Sequence, residues 1–233
     1  MSRRTRRGPG RPPAVDAEAI AEAVLAVGFP DLTFAAVAAR LGVGQATLYR
    51  HAPDRDELVR LGVDLAMRRT EWPGLDGSWR DLLERWALAS WRVWERHPGA
   101  VTEVARGVIP PTMVDLADRV GAALTARGFT ARDAVLAVDL VFDLAADNRR
   151  GVEALDAVSP APGGTDVRHG ARRRVEEQWA RTDPGDDPDD TRAVIRAEMV
   201  RAIQAEPITW FRGKLRVVLS GIERELAPPG EGP

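Results

Sequence analysis

Cysteine is absent from these 233 residues, so disulfides, thiolate metal sites and cysteine nucleophiles are excluded. Histidine is scarce. His51, His97 and His169 stand far apart, and no metal-binding spacing such as HExxH joins them. Neither a metal site nor a cofactor is expected. Lysine is nearly missing, with Lys214 alone against a large excess of arginine. Long apolar runs are lacking as well. The best stretch, 134–146, is broken by Asp139 and Asp143, so no membrane span is expected and the chain reads as soluble and cytoplasmic. Nor is there a general excess of positive charge, since the formal net charge is −2. If nucleic acid is a partner, the distribution of charge must attract it.

That distribution is uneven at the start of the chain. Arg3, Arg4, Arg6, Arg7 and Arg11 occur among the first fourteen residues with no acidic neighbour, and Gly8, Pro9, Gly10, Pro12 and Pro13 forbid a regular helix there. A twin-arginine export signal does not fit, because no apolar run follows. Residues 1–13 read as a basic arm. Two roles stand side by side: contact with phosphates or a minor groove, Arg11 included, or a solvated tail. Gly10-Arg11-Pro12 resembles part of an AT-hook but lacks its preceding arginine.

From there on, apolar residues recur with helical rather than strand spacing, which predicts an all-α fold. Asp16 caps a first helix that buries Ile20, Val24 and Val27, and Gly28 stands just past its end. Thr33 caps a second, with Phe34, Val37, Ala38 and Leu41 spaced i, i+3, i+4, i+7 and Gly42 as its stop. A third runs from about Gln45 to His51 before Pro53. Asp54 with Glu57 caps a fourth, which continues towards Arg69.

The stretch from Leu32 to His51 carries the most information. Val37 and Leu41 face a core, small Ala38 allows a close crossing, and Gly42 permits a sharp turn at positive φ. Leu48 anchors the third helix from inside. Gln45, Thr47, Arg50 and His51 then turn outward, as donor-rich side chains able to reach base edges and phosphates. Tyr49, the only tyrosine, can pack its ring and extend its hydroxyl. A plain helical hairpin with a glycine turn explains any one of these elements. The whole set points to a DNA-reading helix-turn-helix, with Arg55 beside the next cap as a further candidate contact.

The segment from about Ala14 to Leu65 closely resembles the DNA-binding domain of the tetracycline-repressor (TetR) family. The resemblance is carried by Gly28-Phe29, Leu32-Thr33, Val37-Ala38, Leu41-Gly42-Val43, Thr47-Leu48-Tyr49-Arg50-His51 and Asp54-x-x-Glu57-Leu58. It implies an all-helical homodimer with a variable C-terminal domain that binds a small molecule and releases DNA. It also implies that Thr33, Gln45, Thr47, Tyr49 and His51 occupy operator-contacting positions. One departure is Phe34-Ala35-Ala36, where relatives often place polar or basic residues.

Helical patterns continue beyond Trp72-Pro73-Gly74. Ser78 caps a long helix ending at His97-Pro98, and a short one follows to about Arg106. Pro110-Pro111-Thr112 opens another, and Thr130 with Asp133 caps the next. Further helices are expected near 171–181, from about Thr191, and over 208–226. The segment 159–170 reads as loop. The acidic stretch 182–191 reads as a solvated loop, since it lacks the glycine and terminal glutamate of an EF-hand. Trp86, Trp94 and His97, with Phe142 and Arg106, are candidates for lining a ligand pocket, although tryptophans at helical spacing also serve as plain core. Glu103 falls about where tetracycline-responsive relatives use a metal-binding histidine, which gives no support to a magnesium–tetracycline ligand. By resemblance, the helices near 131–149 and 208–226 form a dimer interface. The first carries Leu136, Leu140, Phe142 and Leu144 and the second Phe211, Leu215, Val218, Leu219 and Ile222. Each is apolar over more than one face, which suits packing on a partner as well as on the same subunit; helices fully buried in a monomeric bundle are the alternative.

The expected organisation is an arm (1–13), a helix-turn-helix domain (14–70) and a ligand-binding and dimerisation domain (71–233). The expected function is a ligand-responsive regulator of a double-stranded DNA operator, with a small-molecule inducer and a second copy of the chain as partners. Control by a protein partner instead of a ligand is the neighbouring alternative. An enzyme on a helical scaffold is disfavoured, because no nucleophile–base pair, phosphate loop or metal spacing is present.

Overall fold

A computed structural model describes residues 15–156, 170–181 and 190–229. Every regular element among them is an α-helix. Four make the N-terminal part: α1 (Ala17–Val27), α2 (Phe34–Leu41), α3 (Gln45–Tyr49) and α4 (Arg55–Arg68). Seven follow: α5 (Trp79–Arg96), α6 (Ala100–Ala105), α7 (Pro111–Thr125), α8 (Ala131–Asp156), α9 (Gly170–Ala180), α10 (Thr191–Gln204) and α11 (Pro207–Glu225).

Several helices start where short polar side chains satisfy otherwise unpaired N–H groups. Asp16 accepts from the Ala19 N–H at 2.8 Å, Thr33 from Ala36 at 3.1 Å and Asp54 from Glu57 at 2.8 Å. Ser78 and Thr130 do the same for α5 and α8. Glu57 does not reach back to complete a capping box; its carboxylate takes two N–H groups of Arg60 instead.

The third helix is shorter than expected, five residues instead of seven. The N–H groups of His51 and Ala52 both donate to the Leu48 carbonyl at 2.9 Å, so the chain tightens into a turn ahead of Pro53. α8 is longer than expected and passes Arg149 to reach Asp156. Its extra turns bury Val152 and place Glu153 where it accepts the Gly99 N–H at 3.0 Å.

One apolar core runs through both parts of the molecule. α4 packs on α1 and also touches α6 and α7, so it bridges the helix-turn-helix and the remaining helices. α8 forms the spine of the C-terminal part, against α5, α7 and α11. Phe211, Leu215, Leu219 and Ile222 of α11 are buried within a single chain. The expectation that Leu219 and Ile222 face a partner is therefore corrected: in this register they point at α5 and α8. On α8 and α11 the large apolar side chains left outside are Val135, Leu136 and Leu140, and Trp210 and Val217.

Candidate nucleic-acid interface and helical-domain cavity

The turn between α2 and α3 depends on Gly42, at φ 67° and ψ 30°, a conformation cheap only for glycine. The Val43 N–H donates back to the Ala38 carbonyl at 3.0 Å, which sets the angle at which α3 leaves. Leu48 is fully buried and fixes the rotation of α3 about its own axis. As a result Gln45, Arg50 and His51 are exposed and Thr47 is half-exposed. Thr33 lies exposed at the α2 cap, its hydroxyl oxygen accepting from Ala36.

Tyr49 is half-exposed, and its ring stacks on Phe34 with centroids 4.1 Å apart and planes 12° from parallel. Phe34, the departure noted in the sequence, thus orients the tyrosine ring.

Arg55 is committed elsewhere. It forks onto Glu103 of α6 through bonds of 2.9 and 2.8 Å and gives its Nε–H to the Leu32 carbonyl at 3.3 Å. The hydrogen bonds from Arg55 hold the Glu103 carboxyl below its ordinary range, against the opposing effect of burial. Arg106 adds a weaker contact to Glu103 at 3.2 Å. Arg11 lies outside the described residues.

A cavity of about 220 Å³ opens between α4, α5, α7 and α8. Of the five candidates, Trp94 and Phe142 lie on its wall; Trp86, His97 and Arg106 do not. Trp86 is fully buried behind Trp72, on which it stacks at 5.2 Å, and Trp72 takes the place on the wall. His97 ends α5, where burial, assisted by Arg96, pushes its imidazole below its ordinary range. Arg106 is spent on Glu103.

Sequence reading missed Met67, Ser90, Met113, Asp139 and Asp143 on the cavity wall. A signal for the last two was present, because the carboxylates that interrupt the apolar run of α8 are spaced i, i+4 and so share one face. Burial, reinforced by Asp139 and Asp147, raises the Asp143 carboxyl above its ordinary range. Among the described residues no group of histidine, aspartate and glutamate side chains is arranged to hold a metal ion. No helix among them is long and apolar enough to cross a membrane.

The family model "Bacterial regulatory proteins, tetR family" matches residues 17–61, from α1 into α4. The chain is 31% identical over 146 residues to the HTH-type transcriptional repressor DrrR1 of Streptomyces coeruleorubidus. That match covers 60% of this chain and 53%, about half, of that protein. The fold is shared with ActR of Streptomyces coelicolor in complex with actinorhodin, with a TM-score of 0.73 at 16% identity, over 94% of this chain and 99% of that one. It is also shared with a TetR variant of Acinetobacter baumannii in complex with minocycline, with a TM-score of 0.64 at 21% identity, over 92% and 94% of the two chains. The helix-turn-helix of this chain is thus similar to the tetR family of bacterial regulatory proteins, and its all-helical fold is the one these solved structures share.

Proposed function

We propose that this protein is a transcriptional repressor that binds a palindromic operator as a homodimer and is released by a small molecule entering the cavity between α4, α5, α7 and α8. The observation that carries the reading is the outward set around fully buried Leu48: Gln45, Thr47 and Tyr49 on α3, with Arg50 and His51 in the turn that directly follows it. These are the side-chain types that read base edges and phosphates in a major groove. Thr33 joins them as a phosphate contact at the α2 cap. Arg55 leaves the set, because its donors are already occupied.

Two further inferences complete the reading. A short recognition helix reads few base pairs, so two copies are needed, spaced roughly one DNA turn, about 34–36 Å, apart. The exposed apolar residues of α8 and α11 supply a self-complementary surface for that pairing. The cavity favours a small-molecule signal over a protein partner, and Trp94 and Phe142 are its aromatic walls. A cytoplasmic location follows from this role, and the division at Trp72-Pro73-Gly74 separates reading from sensing. No catalytic step is needed.

Fluorescence anisotropy with the palindromic DNA from its own promoter tests the reading. We expect saturable binding of two subunits per palindrome and far weaker binding to a scrambled duplex. Equal affinity for the two duplexes overturns it.

A further inference from the structure

The cavity combines three features. Its walls are apolar and aromatic, with Trp72, Trp94 and Phe142 presenting rings and Met67 and Met113 supplying adaptable thioethers. Among the described residues its only charged lining side chains are Asp139 and Asp143, one helical turn apart on α8. One of its walls carries an unsatisfied polar group: the buried indole N–H of Trp94 has no hydrogen-bond partner among the described residues, and Ser90, only 4% exposed, stands on the same wall.

Asp139 and Asp143 make no ion pair or hydrogen bond among the described residues. Neither Arg119 nor Arg149 pairs with these two aspartates. Arg119 lies over the Trp86 ring at 5.8 Å, and Arg149 lies over Trp91 at 5.6 Å and faces Glu95 and Glu153. Two like charges at i, i+4 disfavour the empty site, and a positive charge between them removes that cost. An apolar wall beside them lowers the local dielectric and strengthens the attraction. A carboxylate or phosphate ligand meets the opposite situation: repulsion from both aspartates and no lining cation to offset it.

We infer that the cavity takes a flat aromatic molecule carrying a protonated amine, its rings against Trp94 and Phe142 and its ammonium on Asp139 and Asp143. The inference rests on the reading of this cavity as the ligand site. It adds what that reading leaves open, the charge and shape of the ligand. Ser90 and Trp94 offer hydrogen bonds to a polar substituent on the ring system.

The test is calorimetric titration of the DNA-free protein, at mildly alkaline pH, with three probes on one ring frame. These are 9-aminoacridine as a cation, acridine as a neutral molecule and acridine-9-carboxylate as an anion. Omitting DNA keeps intercalation out of the measurement. We expect the cation to bind about tenfold or more tightly than acridine, and the anion weakest. In the Asp139→Asn/Asp143→Asn variant the three should converge near the acridine affinity. Both aspartates are exposed at the cavity rim and the change removes a like-charge pair, so the variant should fold. Equal affinities in the wild type overturn the inference. So do a preference for the carboxylate, a cation preference that survives in the variant, or no binding of 9-aminoacridine. Operator binding is titrated separately. Protein that binds the palindrome but ignores probe charge keeps the regulator reading and loses the ligand class. Protein that selects the cation but not the palindrome does the reverse.

Discussion

Arg55, the first residue of α4, holds Glu103 of α6 through two parallel N–H···O bonds, and it also reaches back to the carbonyl of Leu32 ahead of α2. One guanidinium therefore ties the helix-turn-helix to the helix whose Val104 lines the cavity. Glu103 is buried, so removing its partner exposes the cost of an incompletely paired carboxylate. We expect Arg55→Ala to lower stability by about 1–3 kcal/mol, towards the lower end because Arg106 remains and Arg55 is partly solvated. Glu103 titrates below its unfolded value, so its contribution is present above the unfolded pKa and lost as pH falls through the folded one. Urea titrations should show the wild type losing this increment on the acid side and the variant losing less. Parallel stability curves for the two proteins would sink the assignment. Ligand release of operator should also weaken in the variant, because the link between cavity and reading head is cut.

Tyr49→Phe keeps the stack on Phe34 and removes only the hydroxyl. Operator affinity should drop several-fold with no change in melting temperature. Arg50→Ala should weaken a base contact by about 1–3 kcal/mol of discrimination. If Arg50 binds phosphate instead, affinity falls for all sequences alike and the salt dependence flattens. Wild-type affinity in both variants at fixed salt would mean that α3 is not the reading helix.

Val217 is 72% exposed on α11, whereas Leu219, two residues on, is 2% exposed. Val217→Arg should therefore give folded monomers in sedimentation velocity and lose tight operator binding. Leu219→Arg should instead unfold the protein, because it buries a charge against α5 and α8. A stable dimer in the Val217 variant would move the interface elsewhere.

Gly62 lies where α4 crosses α1. A Cβ there would overlap Val24 Cγ1, closer than packed atoms tolerate. Gly62→Ala should cost about 1–3 kcal/mol through overpacking, although alanine is the better helix former. Combination with Val24→Ala should recover part of the loss, and thermal denaturation of the three proteins measures it. Additive losses would argue that Val24 is not the obstacle.

Deleting residues 1–12 removes five arginines. For every DNA phosphate that those arginines neutralise, the deletion should flatten the log–log salt dependence of operator affinity by about 0.9. An unchanged slope would make the arm a passive tail.

Much of the N-terminal part was legible because its signals are local. Asp16, Thr33 and Asp54 cap helices within three residues of themselves, and Gly42 acts through its own φ. Leu48 fixes the outward face of α3 by periodicity alone. The sequence by itself therefore determined the all-helical class, the helix-turn-helix and its exposed row. Distant contacts were not legible. Arg55 looks like a free surface arginine until α6 brings Glu103 to it across 48 residues. Trp86 and Trp94 sit two helical turns apart on α5, yet one hides behind Trp72 while the other lines the cavity. The apolar residues of α11 all suit an interface, and only packing on α5 and α8 decided that Leu219 and Ile222 turn inward and Val217 outward. Periodicity tells which residues share a face, but not what stands opposite it. Only the tertiary structure decided that, because burial and ion pairing depend on neighbours that the chain brings together from far apart.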